Sequence, residues 1–195
     1  MGKNKKLFYL FLFTIEPLLI LIAFAVFMFQ KKPFLQIFVS NINPVFQLLT
    51  GCASGLLITF PLVYIYKSGF FSDVMDIFTD LISGFGLNIV DFILISVTAG
   101  VCEEILFRAT LQPMLGIWLS SFIFILLHGY FNPKNLKILL FGVIMFVISV
   151  LIGSVYKWLG LFAAIGFHFA YDFRVLWLVS GFINNKSSRN TENAI

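Results

Sequence analysis

Residues 89–112 read IVDFILISVTAGVCEEILFRATLQ, a segment of bilayer-crossing length with Glu103, Glu104 and Arg108 set deep inside an apolar run. A membrane-spanning helix needs about 20 mostly apolar residues. An ionisable side chain near the bilayer centre costs roughly 2.5–3.5 kcal/mol on insertion scales, so such residues face a partner, a water-filled cavity or a substrate. These charges are therefore where function is to be sought. The chain's only two histidines, His128 and His168, stand in further apolar segments, and Asp172 follows His168 at i,i+4 spacing.

Outward from this segment, composition sets the class. The 195 residues are 60% hydrophobic and 11% charged, with a mean hydropathy of +1.00. Such a chain is not a soluble globular domain; it is an all-α polytopic membrane protein. One membrane domain is expected over residues 1–183, followed by a polar, disordered tail over 184–195. The 26 phenylalanines and scattered Gly, Ala and Ser supply large and small partners for helix packing. The formal charge of +4 is spread over interhelical segments and tails rather than one basic face, which argues against a nucleic-acid partner. Cys52 and Cys102 fall in apolar segments without CxxC spacing and read as buried thiols. The basic N-terminus, Met1 to Lys6, precedes an apolar run too long for a signal-peptide core and interrupted by Glu16-Pro17, so an uncleaved first span is favoured over cleavage near Ala23-Phe24-Ala25. Lys6 stands where a myristoylation signal starting at Gly2 needs Ser or Thr.

About six transmembrane helices are expected, over 7–29, 45–66, 89–112, 117–131, 136–156 and 158–183, the fourth of them short. An even number puts both termini on one side. That side carries Lys3, Lys5, Lys6, Lys67, Lys134, Lys137, Lys186 and Arg189 against Lys31, Lys32 and Lys157 opposite, which makes it cytoplasmic. Between the second and third spans, Phe70, Phe71, Val74, Ile77, Phe78, Leu81 and Ile82 share one helical face, with Asp73, Asp76 and Asp80 on the other. This helix either lies in the membrane interface or packs on the bundle as a loop helix.

On a helix, consecutive residues diverge by about 100°, so Glu103 and Glu104 are not expected to point at one spot, whereas Glu104 and Arg108 stack at i,i+4 as a buried ion pair. Glu103, His128 and His168 lie at similar depth if their helices are straight, within about 10 Å of the midpoints. A carboxylate and imidazoles converging on a restricted pocket can hold a water, take its proton and return it to a leaving amine, as amide hydrolysis requires. His168 with Asp172 can polarise the carbonyl or stabilise the oxyanion. Phe124 reads as packing that shapes the pocket wall. Glu16, beside a Pro kink, either lines a cavity or pairs with a lysine, and is left outside the site.

Glu103-Glu104-xxx-Arg108, Phe124-xxx-His128 and His168-xxx-Asp172, in that order and each in an apolar helix, resemble the three-motif signature of the CPBP family of intramembrane proteases. That family includes Rce1-type CAAX prenyl endopeptidases and bacterial Abi or bacteriocin-immunity homologues. The resemblance covers about residues 91–172, within a family-like core of about 89–183; Gly142, Gly153, Tyr156 and Gly160 precede the last motif much as glycines do in the family. It implies that Glu103 and His128 activate the hydrolytic water, that His168 and Asp172 bind the oxyanion, and that Glu104 and Arg108 support the site. The family often has Asn where Asp172 stands, and an ionised Asp accepts but does not donate. Asp172 is then protonated, orients His168, or joins Glu103, His128 and His168 in a two-nitrogen, two-oxygen set for zinc or another divalent metal. The cofactor is left open between that metal and none. The implied reaction is cleavage of a peptide bond in a membrane-anchored, lipidated or hydrophobic peptide or protein, and a small chain rich in Lys, Phe and Asn points to a bacterial plasma membrane. Two other classes fit the same residues: a proton-coupled transporter, and a non-catalytic immunity or scaffold protein.

Overall fold

The computed structural model describes residues 3–131 and 133–192, so the signals read on Met1 and Gly2, like residues 193–195, lie outside the described residues. Seven α-helices follow in order: α1 (Lys3–Phe29), α2 (Pro44–Lys67), α3 (Ser72–Phe85), α4 (Ile89–Glu104), α5 (Gln112–Leu127), α6 (Leu136–Leu159) and α7 (Leu161–Glu192). A π-helical segment, Ile105–Leu111, joins α4 to α5 without a loop. No strand occurs among the described residues.

Short polar residues set the helix starts. Asn43, Asn88 and Asn135 each accept two backbone N–H bonds at the heads of α2, α4 and α6. At α4 the cap is reciprocal, because Asp91 Oδ2 also accepts the Asn88 N–H at 2.7 Å. Asp91 further holds Lys5 Nζ at 2.5 Å and the Tyr9 hydroxyl, which ties the start of α1 to the start of α4.

These contacts orient the chain. Asn4 reaches Gly84 O and Lys137 pairs with Asp73, so the starts of α1, α4 and α6 share one end of the bundle with α3. Gln30 bonds Met114 and Phe38 packs on Phe162, so the other end gathers the loop after α1, the head of α5 and the start of α7. Trp177 and Gly181 of α7 border a crevice with Gly86 and Asn88, so α7 returns to the end where α1 begins.

Among the described residues four helices are long and apolar enough to cross a membrane (Asn4–Phe29, Pro44–Tyr66, Leu136–Leu159 and Leu161–Gly181), and a fifth span is counted if Ser72–Phe85 and Ile89–Leu127, bent by 113°, act as one. This is fewer than the six the hydropathy ruler suggests. The difference lies at residues 117–131, where Gly116 takes φ 79, ψ 168 and breaks the helix, and His128 already caps its end. The piece between covers about 16 Å at 1.5 Å per residue, half of what a span requires. It runs back along α6 from the level of Gly153, which abuts Ile117, to that of Gly142, which abuts Tyr130. At the C-terminus α7 continues to Glu192, past the end at Ile183 that the polar tail suggests. Residues 182–192 hold no Pro or Gly, and extending an existing helix costs far less than starting one.

α3 packs on the bundle rather than presenting its whole apolar face to lipid. Phe71 and Phe78 meet the ring of Phe141, and Val74, Met75 and Ile82 are buried, while Phe70, Ile77 and Leu81 stay exposed. Cys52 is half-buried and Cys102 buried, both as free thiols.

The helix that carries His168 is fixed by close backbone contact. A Cβ on Gly51 would sit 2.0 Å from Ala163 O, one on Gly55 2.3 Å from Phe167 O, and one on Gly166 2.5 Å from Leu48 O. Two helices approach this closely only over small residues, and the spacing Gly51-xxx-Gly55 supplies them. Gly55→Leu is therefore expected to cost about 3 kcal/mol, since only backbone stands in the way. Gly84→Ala, where nothing lies within 4 Å, is expected to leave the melting temperature in detergent unchanged or raised. Equal melting of Gly55→Leu and the native chain would contradict the packing.

Candidate active site

Four elements converge on one buried ion pair. Glu104 and Arg108 are fully buried, and Arg108 Nε lies 3.0 Å from Glu104 Oε2. Arg108 Nη1 donates to Ser121 Oγ of α5 at 3.1 Å and Nη2 to Ser149 Oγ of α6 at 2.8 Å. Its guanidinium carbon stands 5.7 Å from the centroid of the Phe124 ring. The second Glu104 oxygen, Oε1, meets His168 Nδ1 of α7 at 2.7 Å. Glu104 thus uses one oxygen on a cation and the other on an imidazole.

The i,i+4 pairing persists although residues 105–111 form a π-helix, in which the Thr110 hydroxyl donates to Ile105 O five residues back at 2.8 Å. π-turns inside α-helices mark functional sites often enough to be informative. Here the widened turn begins directly after the two glutamates.

Glu103 turns to a cavity of about 200 Å³ bordered by α3, α5, α6 and α7. Its Oε1 lies 3.7 Å from His128 Nε2 and its Oε2 3.7 Å from His168 Nε2. Both separations are too long for direct hydrogen bonds and suit a bridging water. Oε2 is buried with no hydrogen-bond partner. The expectation that consecutive glutamates diverge is met with one refinement: they reach opposite edges of the same ring, Glu104 at Nδ1 and Glu103 toward Nε2 of His168.

The two imidazoles are held differently. His128 Nδ1 lies 2.7 Å from Phe124 O, the carbonyl one helical turn back, so Nδ1 carries a proton and Nε2 is left to face Glu103. Its side chain is 33% exposed, beside the mouth of the cavity. His168 is buried, and besides Glu104 it has Asp172 Oδ2 at 3.3 Å from Nε2. Phe124 packs on both rings, with centroids 4.2 Å from His128 and 6.1 Å from His168, and its own edge against Phe107.

The donors do not suit a metal. Among the described residues no three His, Cys, Asp or Glu side chains converge as ligands. His168 Nδ1 is occupied by Glu104, and its Nε2 lies directly beside two carboxylates, 3.3 Å from Asp172 Oδ2 and 3.7 Å from Glu103 Oε2. A metal-holding set of Glu103, His128, His168 and Asp172 is not assembled among the described residues.

Sequence reasoning did not single out Ser121 and Ser149, the two hydroxyls that finish Arg108. Their signal was a hydroxyl in a mostly apolar helix, Ser121 beside Ser120 and Ser149 with no adjacent hydroxyl. Nor did it bring in Glu16, whose buried Oε2 lacks a partner and whose charge lies within electrostatic reach of Glu103, His168, His128 and Asp172.

With this geometry in view, comparison with known proteins is informative. Residues 85–174, just under half of the chain and holding every residue of the ion-pair and Glu103 clusters except Glu16, match the family described as Type II CAAX prenyl endopeptidase Rce1-like. Residues 85–174 resemble an Rce1-like domain. An uncharacterized protein of Bacillus subtilis (strain 168), YpbD, is 37% identical over 86 residues, which are 44% of this chain and 43% of that protein. The chain therefore matches less than half the length of that relative. No solved structure matches it. The matched segment begins at the C-terminus of α3 and ends six residues past His168, so α1 and α2 act on it from outside, as packing partners.

Because Arg108 has no water to turn to, Glu104→Gln is expected to cost about 3–5 kcal/mol, and Ser149→Ala about 1–3 kcal/mol. Thermal melting in detergent reads both. A Glu104→Gln protein that melts with the native one would remove the ion pair from its central place.

Proposed function

We propose that this chain is an intramembrane endopeptidase that cleaves a peptide bond in a membrane-associated or lipidated peptide, using a water activated by Glu103 and His128. The observation that carries the reading is the 3.7 Å gap between Glu103 Oε1 and His128 Nε2 at the cavity wall. With Nδ1–H given to Phe124 O, Nε2 is an acceptor, and the Glu103 carboxylate is an acceptor too. Two acceptors facing across such a gap are satisfied by one water that donates a hydrogen to each, and that water presents its lone pair to the cavity.

The chemistry follows from this pose. Water oxygen bonds to the carbonyl carbon, the C=O pair moves to oxygen, and Glu103 takes the water's proton. Collapse of the tetrahedral intermediate breaks the C–N bond, and Glu103 returns the proton to the leaving nitrogen. His168 works in this reading as an imidazolium whose positive edge faces the developing oxyanion, with Glu104 fixing the ring and Asp172 balancing its charge. Asp172 is then an orienting carboxylate rather than an oxyanion donor. Much of the cavity's remaining wall is apolar, with Ile125, Phe141, Met145, Ile148 and Val175 beside Tyr130 and Tyr171, which suits hydrophobic residues beside the scissile bond. The lysine bias puts the end bearing Lys5, Lys6 and Lys137 at the cytoplasmic face of a bacterial plasma membrane. The Rce1-like match supports the peptidase class.

Glu103→Gln is expected to lower kcat by about 10²–10⁴-fold on a fluorogenic, lipid-anchored peptide library in nanodiscs, with melting temperature and peptide binding kept. Activity of the native chain is expected to survive EDTA. Hydrolysis retained in Glu103→Gln would overturn the base assignment, and loss in EDTA would overturn the metal-free route. Asp172→Asn is expected to keep turnover, because an amide oxygen still accepts from His168, while Asp172→Leu loses it; equal rates in both would remove Asp172 from the site.

A further inference from the structure

A second cavity, of about 760 Å³, opens at the end of the bundle opposite the cytoplasmic lysines, among the loop after α1, the Gly116 break and the start of α7. Its charge is one-sided. Lys32 and Lys157 are the charged residues that border it, no carboxylate does, and neither lysine side chain has an ion-pair or hydrogen-bond partner among the described residues. Two helix starts add to this field. Gly160, Leu161 and Phe162 at the head of α7 border the cavity, as do Gly116, Ile117 and Trp118 at the restart of α5. The first N–H groups of a helix lack intrahelical acceptors and favour an anion.

Two independent features show a built site rather than a gap. Gln47 is fully buried and Gln112 nearly so, yet neither Oε1 has a hydrogen-bond partner; that of Gln47 lies against Gly160 at the cavity and that of Gln112 against Gly153 of α6. Their amide groups are oriented by donation, Gln47 Nε2 to Ser40 Oγ and Ile42 O at 2.9 Å each, Gln112 Nε2 to Gly153 O at 2.8 Å. A side chain at Gly160 would strike Gln47 Oε1 at 2.5 Å, so glycine keeps that approach clear. The chain also accepts strain here: Lys31 adopts φ 56, where glycine is usual, closing α1 with Lys31 N–H on Met28 O and Lys32 N–H on Phe27 O, each at 3.1 Å. That turn delivers Lys32 to the cavity.

We propose that this cavity binds the headgroup of an anionic glycerophospholipid that carries free hydroxyls. The phosphodiester takes the lysines and helix N–H groups, and a hydroxyl donates to Gln47 Oε1. A lipid is favoured as the source because the same end exposes Phe29, Trp118 and Trp158, the aromatic belt of a bilayer interface. The site stands apart from Glu103 and does not depend on the hydrolytic reading.

The test is native mass spectrometry of delipidated protein titrated with phosphatidylglycerol, phosphatidylcholine or soluble glycerol phosphate. Phosphatidylglycerol is expected to bind about tenfold or more tightly than phosphatidylcholine, which has no hydroxyl donor and no net charge. The double variant K32A/K157A is expected to erase that preference and K32R/K157R to keep it, with K6A, at the other end, unchanged. Both lysines are exposed, so the variants are expected to melt with the native chain in lipid-free detergent. Equal phosphatidylglycerol binding by K32A/K157A and native protein would overturn the site. Glycerol phosphate binding as tightly as the lipid would overturn the lipid source and make the ligand a soluble phosphoester.

Discussion

Everything in this bundle turns on how Glu104 is neutralised. A carboxylate taken out of water loses several kcal/mol of solvation, and attraction to one cation recovers it only when the remaining lone pairs are also occupied. Glu104 meets both conditions, with Arg108 on Oε2 and His168 on Oε1. Arg108 is completed in turn by Ser121 and Ser149. The demand for full compensation therefore ties the α4 strand of the bundle to α5, α6 and α7 by polar contacts, where apolar packing alone would leave their rotations free. Glu103 inherits the result: it is the carboxylate that this network does not neutralise.

The backbone between α4 and α5 carries this arrangement. A regular helix would keep 100° between successive side chains along the whole run, and the π-helical turn at Ile105–Leu111 shifts the register after the glutamates. Close contact of α7 with α2 over Gly51, Gly55 and Gly166 then fixes the depth at which His168 meets Glu104. The catalytic geometry proposed above thus rests on two local departures from regular sequence rules, a widened turn and glycines in helix interiors, both in a membrane where backbone groups must be satisfied internally.

How much of this was legible in the sequence differs by element. The charges of Glu103, Glu104 and Arg108 were conspicuous because hydrocarbon makes every charge costly, and the Glu104–Arg108 pair followed from helix geometry within one segment. The meeting of Glu103 with His128 and His168 could be posed from depth but not fixed, since depth leaves the rotation of each helix undetermined. Ser121 and Ser149 were invisible for that reason: a serine in an apolar helix signals an inward face only once its neighbours are placed. The hydropathy ruler counted the stretch after Gly116 as a span because it measures apolarity, not dihedral angles, and a glycine at φ 79 halves the length available. The lysines at 32 and 157 were read as topology signals, and their convergence on one cavity comes from a loop and a helix end 125 residues apart in sequence.

The two histidines show why a charge network of this kind divides labour without any difference in residue type. His128 spends Nδ1–H on the carbonyl of its own helix, a neutral acceptor that leaves Nε2 as a base. His168 spends Nδ1 on a carboxylate and turns Nε2 toward two more, those of Asp172 and Glu103. The two rings thus differ in their partners, a carbonyl for one and carboxylates for the other, on either side of Glu103. In the mechanism proposed above, that difference of partner, rather than of side chain, gives the two imidazoles separate tasks at one cavity.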